Sequence, residues 1–168
     1  MDLDLVVLSA EDGKAVKNLT KGWTNKYRYL VTEAFAGRRD LSWSPTGDQI
    51  AVFVRKENTR KIAIYDSLHG KLERIINLPG IAQGASPAFS PDGKRIAFAG
   101  NMNGVVDIFE LDLPTKVIRN LTQDNDFDAN PWYAQDGTTV LYNRRIGISW
   151  KIFSVDLSDA TQKTQLTF

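Results

Sequence analysis

The stretch FSPDGKRIAFA, Phe89 to Ala99, is nearly restated upstream as WSPTGDQIAVF (Trp43 to Phe53) and downstream as YAQDGTTVLYN (Tyr133 to Asn143). Turn glycines set the spacing: 46 residues from Gly47 to Gly93 and 44 from Gly93 to Gly137. A period in the forties admits two architectures, a four-stranded propeller blade or a pair of packed helices. The residues after each turn decide. Gln49-Ile-Ala-Val-Phe53, Arg95-Ile-Ala-Phe-Ala99 and Thr139-Val-Leu-Tyr142 alternate with period 2 and are rich in β-branched and aromatic side chains, as strands are.

Each unit then offers a further strand: Lys61 to Asp66, Asp107 to Asp112, Lys151 to Asp156. A short last strand follows, ending Asn120-Leu-Thr122 or Gln165-Leu-Thr167. With the short strand before the turn, each unit has four strands, here called A to D. The A–B turn follows from its residues. Pro91 fixes φ near −65°, Asp92 suits a turn through its short side chain, and Gly93 supplies positive φ, giving a three-residue hairpin with a bulge. Trp43, Phe89 and Tyr133 precede the turns at equivalent places and are expected to pack between sheets.

The pattern aromatic-Ser-Pro-Asp-Gly-x-x-Ile-Ala-Phe, then Ile-Phe-x-x-Asp, then Asn-Leu-Thr, resembles the TolB-type, WD-like β-propeller repeat family over residues 41 to 168. Such repeats occur in TolB and in the propeller domains of tricorn-like and prolyl-oligopeptidase-like peptidases. The third unit departs from the pattern, with Ala134-Gln135 in place of Ser-Pro. The resemblance implies an all-β fold, a partial propeller of about three and a half antiparallel blades. Its expected parts are a C–D half blade at 1–20, an insertion at 21–40, and blades at 41–86, 87–130 and 131–168. Closed propellers hold four to eight blades. The chain is therefore expected to be a piece of a larger propeller protein, with open blade edges that favour self-association.

Composition narrows the chemistry. Net charge is +1, from 21 basic and 20 acidic residues, which gives no electrostatic ground for nucleic acid or an anionic membrane as partner. No apolar run reaches the roughly 18 residues of a bilayer span, and the start has no secretory leader pattern. Cysteine is absent and His69 is the single histidine, so thiolate chemistry and a histidine triad are not expected. Gly84-Ala-Ser-Pro-Ala88 lacks the last glycine of a nucleophile elbow and reads as a D–A loop. Asn18-Leu-Thr20 and Asn120-Leu-Thr122 match a glycosylation triplet, but their recurrence marks them as blade consensus.

Three segments stand out as departures. The insertion Lys21 to Asp40 carries Trp23, Tyr27, Tyr29 and Phe35; Tyr27, Leu30, Val31 and Phe35 have helical spacing between Thr24 and Gly37. Asp124, Asp126 and Asp128 alternate as at the start of a calcium loop, without its glycine and distal glutamate; no metal or other cofactor is expected. Arg144-Arg145 and Arg55-Lys56 are read as B–C loops sharing one face with those acids. The expected binding surface is Arg38, Arg39, Asp126, Asp128, Arg144 and Arg145, with no catalytic residue.

The resemblance implies a non-enzymatic module that binds a protein or peptide in the bacterial envelope, periplasmic or extracytoplasmic. The alternative is the propeller portion of a prolyl-oligopeptidase-like or tricorn-like peptidase whose catalytic domain lies outside this chain.

Overall fold

The computed structural model describes residues 4–21, 29–30, 41–56 and 59–168, the backbone alone at 29–30. These residues form antiparallel strands and turns. Two strands, β1 (Val6–Leu8) and β2 (Ala15–Asn18), form a hairpin by themselves. The next sheet orders β4 (Leu41–Trp43), β5 (Gln49–Lys56), β6 (Thr59–Asp66) and β7 (Leu72–Asn77), with β3 (Tyr29–Leu30) also paired to β5. The second blade runs β8 (Gln83–Phe89), β9 (Arg95–Met102), β10 (Val105–Asp112) and β11 (Ile118–Asn120). The third runs β12 (Phe127–Tyr133), β13 (Thr139–Ile146), β14 (Ser149–Asp156) and β15 (Lys163–Gln165). The architecture is a partial propeller: a C–D half blade followed by three full blades.

Period-2 alternation explains the stacking. On β9, Ile96 and Phe98 point into the core shared with blade 1, while Ala97 and Ala99 point into the core shared with blade 3. Blades 1 and 2 thus bury both faces, which half-buried strands cannot do. The core is accordingly divided among joints. Leu5 and Leu19 of the half blade pack on Ile50, Val52, Ala63 and Tyr65 of blade 1. Between blades 1 and 2 the rings of Phe53, Phe98 and Phe109 run in a chain with centroids 5.6 Å apart. Gly84 and Gly100 face each other across β8 and β9. A Cβ at Gly84 would lie 2.2 Å from the Phe53 ring, and one at Gly100 2.8 Å from Phe109. Glycine at both positions lets the neighbouring rings lie directly on the backbone.

The joint between blades 2 and 3 adds a polar clasp. Buried Glu110 accepts from Arg119 Nε at 2.6 Å and from the Tyr133 hydroxyl at 2.8 Å. Arg95 reaches the Gly137 carbonyl at 3.1 Å, and Arg119 the Leu157 carbonyl at 2.9 Å. Burial, then the neighbouring Glu110 carboxylate, pushes the Tyr133 phenol well above its usual range. It therefore remains a donor.

The consensus polar residues hold the blades together internally. Ser44 and Ser90 each accept the backbone N–H five residues on, from Gln49 and Arg95, at 2.9 Å, while donating to Asp48 and Asp92. The loop closes more widely than a three-residue hairpin: Ser44 N–H reaches the Gln49 carbonyl, and Gly47 N–H the Ser44 carbonyl, both at 2.9 Å. Gly47, Gly93 and Gly137 all have positive φ, as the turn requires. Asp66, Asp112 and Asp156 accept turn N–H groups after their strands, and His69 Nδ1 lies 2.6 Å from Asp66. Asn-Leu-Thr has an equally local role. Thr20 and Thr122 hydroxyls accept the N–H of Leu5 and Ile108. Both hydroxyls donate to Asp4 and Asp107, which also receive Asn18 and Asn120 amides.

Three local expectations are corrected. Tyr29 and Leu30 are strand, not helix, because their backbone pairs with Val54 and Arg55 on the free edge of β5; the rest of the expected helix lies outside the described residues. Gly84 to Ala88 is strand β8, not loop. Its pairing shifts between Ala85 and Ala88, with Ser86 at φ 51°, and the same irregularity recurs at Asn130, φ 52°. Arg55-Lys56 and Arg144-Arg145 lie in β5 and β13, since the B and C strands pair right up to two-residue connections.

Candidate functional site

Two regions depart from the repeat. The first replaces glycine with charge. Where blade 2 has Gly84 opposite Gly100, blade 3 has Asp128 opposite Arg144. Both are buried. Arg144 grips Asp128 bidentately, Nε to Oδ1 at 2.8 Å and Nη2 to Oδ2 at 2.7 Å. The same guanidinium meets Asp124 at 2.6 Å and Asp126 at 2.8 Å. It also lies over the Phe153 and Tyr142 rings, at 5.2 and 5.6 Å. Lys163 meets Asp124 at 2.8 Å and the Thr122 carbonyl. Burial pushes the Asp128 carboxyl up, with Arg144 opposing. Burial alone would lower the Arg144 pKa, but its bonds to Asp128 and Asp124 carry it above the usual arginine range.

Three of the six expected binding residues are therefore brought together: Asp126, Asp128 and Arg144. Arg145 turns away, its Nε on the Gly147 carbonyl at 3.1 Å. Arg38 and Arg39 lie outside the described residues. Carboxylate oxygens of Asp107, Asp124 and Asp128 approach within 4.8 Å of one another. Arg144 and Lys163 already point cations into that cluster, and Asp107 is held by Asn120 and Thr122. The donor set suits an internal ion-pair network better than a metal.

The second region lies on the A strands, where successive blades meet. Ser42 Oγ accepts the Phe89 N–H at 3.1 Å, and Ser86 Oγ donates to Asn130 Oδ1 at 2.9 Å. These bonds tie β4, β8 and β12 side by side. Their last residues, just before the A–B turns, line a hollow of about 320 Å³ that includes Trp43, Ala88, Trp132 and Tyr133. Trp43 is 46% exposed and Trp132 61%. The expectation that the three pre-turn aromatics pack between sheets holds for Phe89 and Tyr133, which are buried in the two inter-blade cores. Trp43 differs because the half blade offers no B strand beside its C strand to cover it among the described residues. Trp132 was legible by alignment alone: it stands where blade 2 has Ala88 and blade 1 has Ser42. An exposed indole in place of a small residue serves contact with something outside the fold better than packing within it.

Comparison with known proteins agrees with this architecture. Tol-Pal system protein TolB of Francisella tularensis subsp. mediasiatica (strain FSC147) is 32% identical over 105 residues, 61% of this chain and 19% of that protein. The chain thus spans about a fifth of that relative. Among solved structures, TolB from Acinetobacter baumannii superposes with TM-score 0.73 at 23% identity, over 98% of this chain and 37% of that one. A prolyl endopeptidase superposes with TM-score 0.60 at 14% identity, over 96% and 25%. These likenesses show the fold. The TolB beta propeller domain family matches residues 40–168, and the chain belongs to that family.

Proposed function

We propose that the chain is a non-enzymatic recognition module that binds a protein or peptide through the hollow on its A strands. The carrying observation is the pair of exposed tryptophans, Trp43 and Trp132, set in a hollow spanning all three blades. Tryptophan supplies large contact area at low conformational cost, and hot spots are rich in it. The hollow is backed by Phe89 and Tyr133, which the inter-blade cores fix in place, so the surface is preformed. Asp126 and Arg145, at the opposite end of the blade, are proposed as an outlying polar contact. Likeness to the Tol-Pal system proteins supports a protein partner and an extracytoplasmic setting.

A random peptide library displayed on phage and selected on the immobilised chain tests this. Selected peptides are expected to lose at least about tenfold in affinity, roughly 1.4 kcal/mol, against Trp132→Ala, with strand content by circular dichroism unchanged. Selected binders indifferent to Trp132→Ala and Trp43→Ala would remove the hollow from the account. Cleavage of bound peptides by the chain alone would overturn the non-enzymatic reading.

A further inference from the structure

Every residue that lines the hollow on the A strands is uncharged. The end of the blades where it opens is not. The A–B turns follow directly on the lining residues, and they carry Asp48, Asp92 and Asp136, all exposed, against Lys94. Antiparallel order puts the C–D turns at the same end. These turns, with the strand ends that lead into them, carry Asp66, Asp112, Asp156 and Asp159 against Lys71, Lys116 and His69. The net charge of +1 thus conceals an acidic end.

The A–B turn carboxylates keep their charge without cancelling it. Asp48 accepts from the Thr46 and Ser44 hydroxyls, Asp92 from the Ser90 hydroxyl and the Lys94 N–H, and Asp136 from the Thr138 N–H. These neutral donors steady the anion and hold each carboxyl below its usual range. Arg95 lies 3.9 Å from Asp92 but is committed to the Gly137 carbonyl and to Glu110. The opposite end of blade 3 is built differently. There Arg144 and Lys163 meet Asp124 directly, and Arg144 also meets Asp128, so cations cancel the acids inside the fold.

Carboxylates beside an exposed indole select a cation, and indole is the best aromatic face for one. The fold stacks its own guanidinium groups in the same way, Arg95 over the Tyr133 ring at 5.6 Å and Arg144 over the Phe153 ring at 5.2 Å. We propose that the segment taken by the hollow is basic, an arginine or lysine side chain lying on Trp132 with its charged head toward Asp92 and Asp136. The inference rests on the recognition reading above and adds the chemistry of the partner. The aliphatic stem of such a side chain covers the apolar lining while its head stays in water among the carboxylates. The acidic turns also draw a basic segment in from a distance, an attraction that salt screens.

Two fluorescein-labelled hexapeptides test this by fluorescence anisotropy, one alternating arginine with glycine and one with citrulline in place of arginine. Citrulline keeps the shape of the side chain and loses its charge. The arginine peptide is expected to bind at least about tenfold more tightly. Trp132→Ala is expected to remove most of that difference. Asp92→Asn combined with Asp136→Asn is expected to flatten its dependence on salt, with strand content by circular dichroism unchanged. Absent or equal binding of the two peptides overturns the proposal, as does an arginine preference untouched by Trp132→Ala. Library-selected peptides that need Trp132 but carry no excess of basic residues also overturn it, and leave the recognition reading standing. Binders indifferent to both Trp132→Ala and Trp43→Ala remove the hollow, and this proposal with it.

Discussion

Arg144 is where one residue decides a local structure. Its guanidinium satisfies three carboxylates, one of them fully buried. A buried ion pair adds little net stability over an apolar pair, but breaking one side leaves an uncompensated charge. Arg144→Met is therefore expected to cost about 3–5 kcal/mol in chemical denaturation. The double variant Arg144→Met with Asp128→Leu is expected to recover most of that loss. If the double variant is as unstable as the single, the network works through the Asp124 loop and not through the buried pair. The residue types of this cluster were legible in the sequence as departures from the repeat. Its arrangement was not, because only strand register places Asp128 opposite Arg144 and below Asp124.

At the scale of the blade, the recurrent aspartates are the common device. Asp66 is held below the ordinary carboxylate value of 3.8 chiefly by the His69 N–H, Asp112 by the Thr115 hydroxyl, and Asp156 by the Ser158 hydroxyl. A depressed native value means the unfolded chain takes up protons first. The stabilisation is present above 3.8 and disappears as pH falls through the native values. Thermal midpoints are expected to be insensitive to these groups between about pH 5 and 7 and to drop below about pH 4. Asp112→Asn is expected to flatten the acid limb, and a limb as steep as in the unmodified chain would contradict the assignment. The strands and turns of each blade were readable because alternation and turn chemistry are local; the capping by Asp66, Asp112 and Asp156 was not. Strand ends were less so. Ser86-Pro87 and Asn130-Pro131 look like loop, yet a bulge absorbs the irregularity and β8 and β12 continue past it. Charged Arg55 and Arg144 look like loop too, yet both are paired strand residues.

Over the whole molecule, the polar consensus builds blades, and of the departures from it the Asp128–Arg144 pair turns inward while the tryptophans Trp43 and Trp132 are exposed. Ser-Pro-Asp-Gly, the capping aspartates and Asn-Leu-Thr are all consumed by bonds within or beside their own blade. Trp132 stands where the other units have Ser42 and Ala88, and Trp43, equivalent to Phe89 and Tyr133, has only the half blade's two strands beside it among the described residues. Both open into one hollow between three A strands. Sequence reading reached the fold; the recognition surface it expected, around Asp126, Asp128 and Arg144, and the hollow proposed from the structure lie at opposite ends of the blades. The tryptophan hollow appears only when equivalent positions of different blades are brought side by side. The measurement that tests this most directly is amide hydrogen exchange of the chain with and without a library-selected peptide. Slowed exchange is predicted at Leu41–Trp43, Gln83–Phe89 and Phe127–Tyr133, the strands that frame the hollow. Protection confined to the Arg144–Gly147 end, or to the outer strands β14 and β15, would contradict the account.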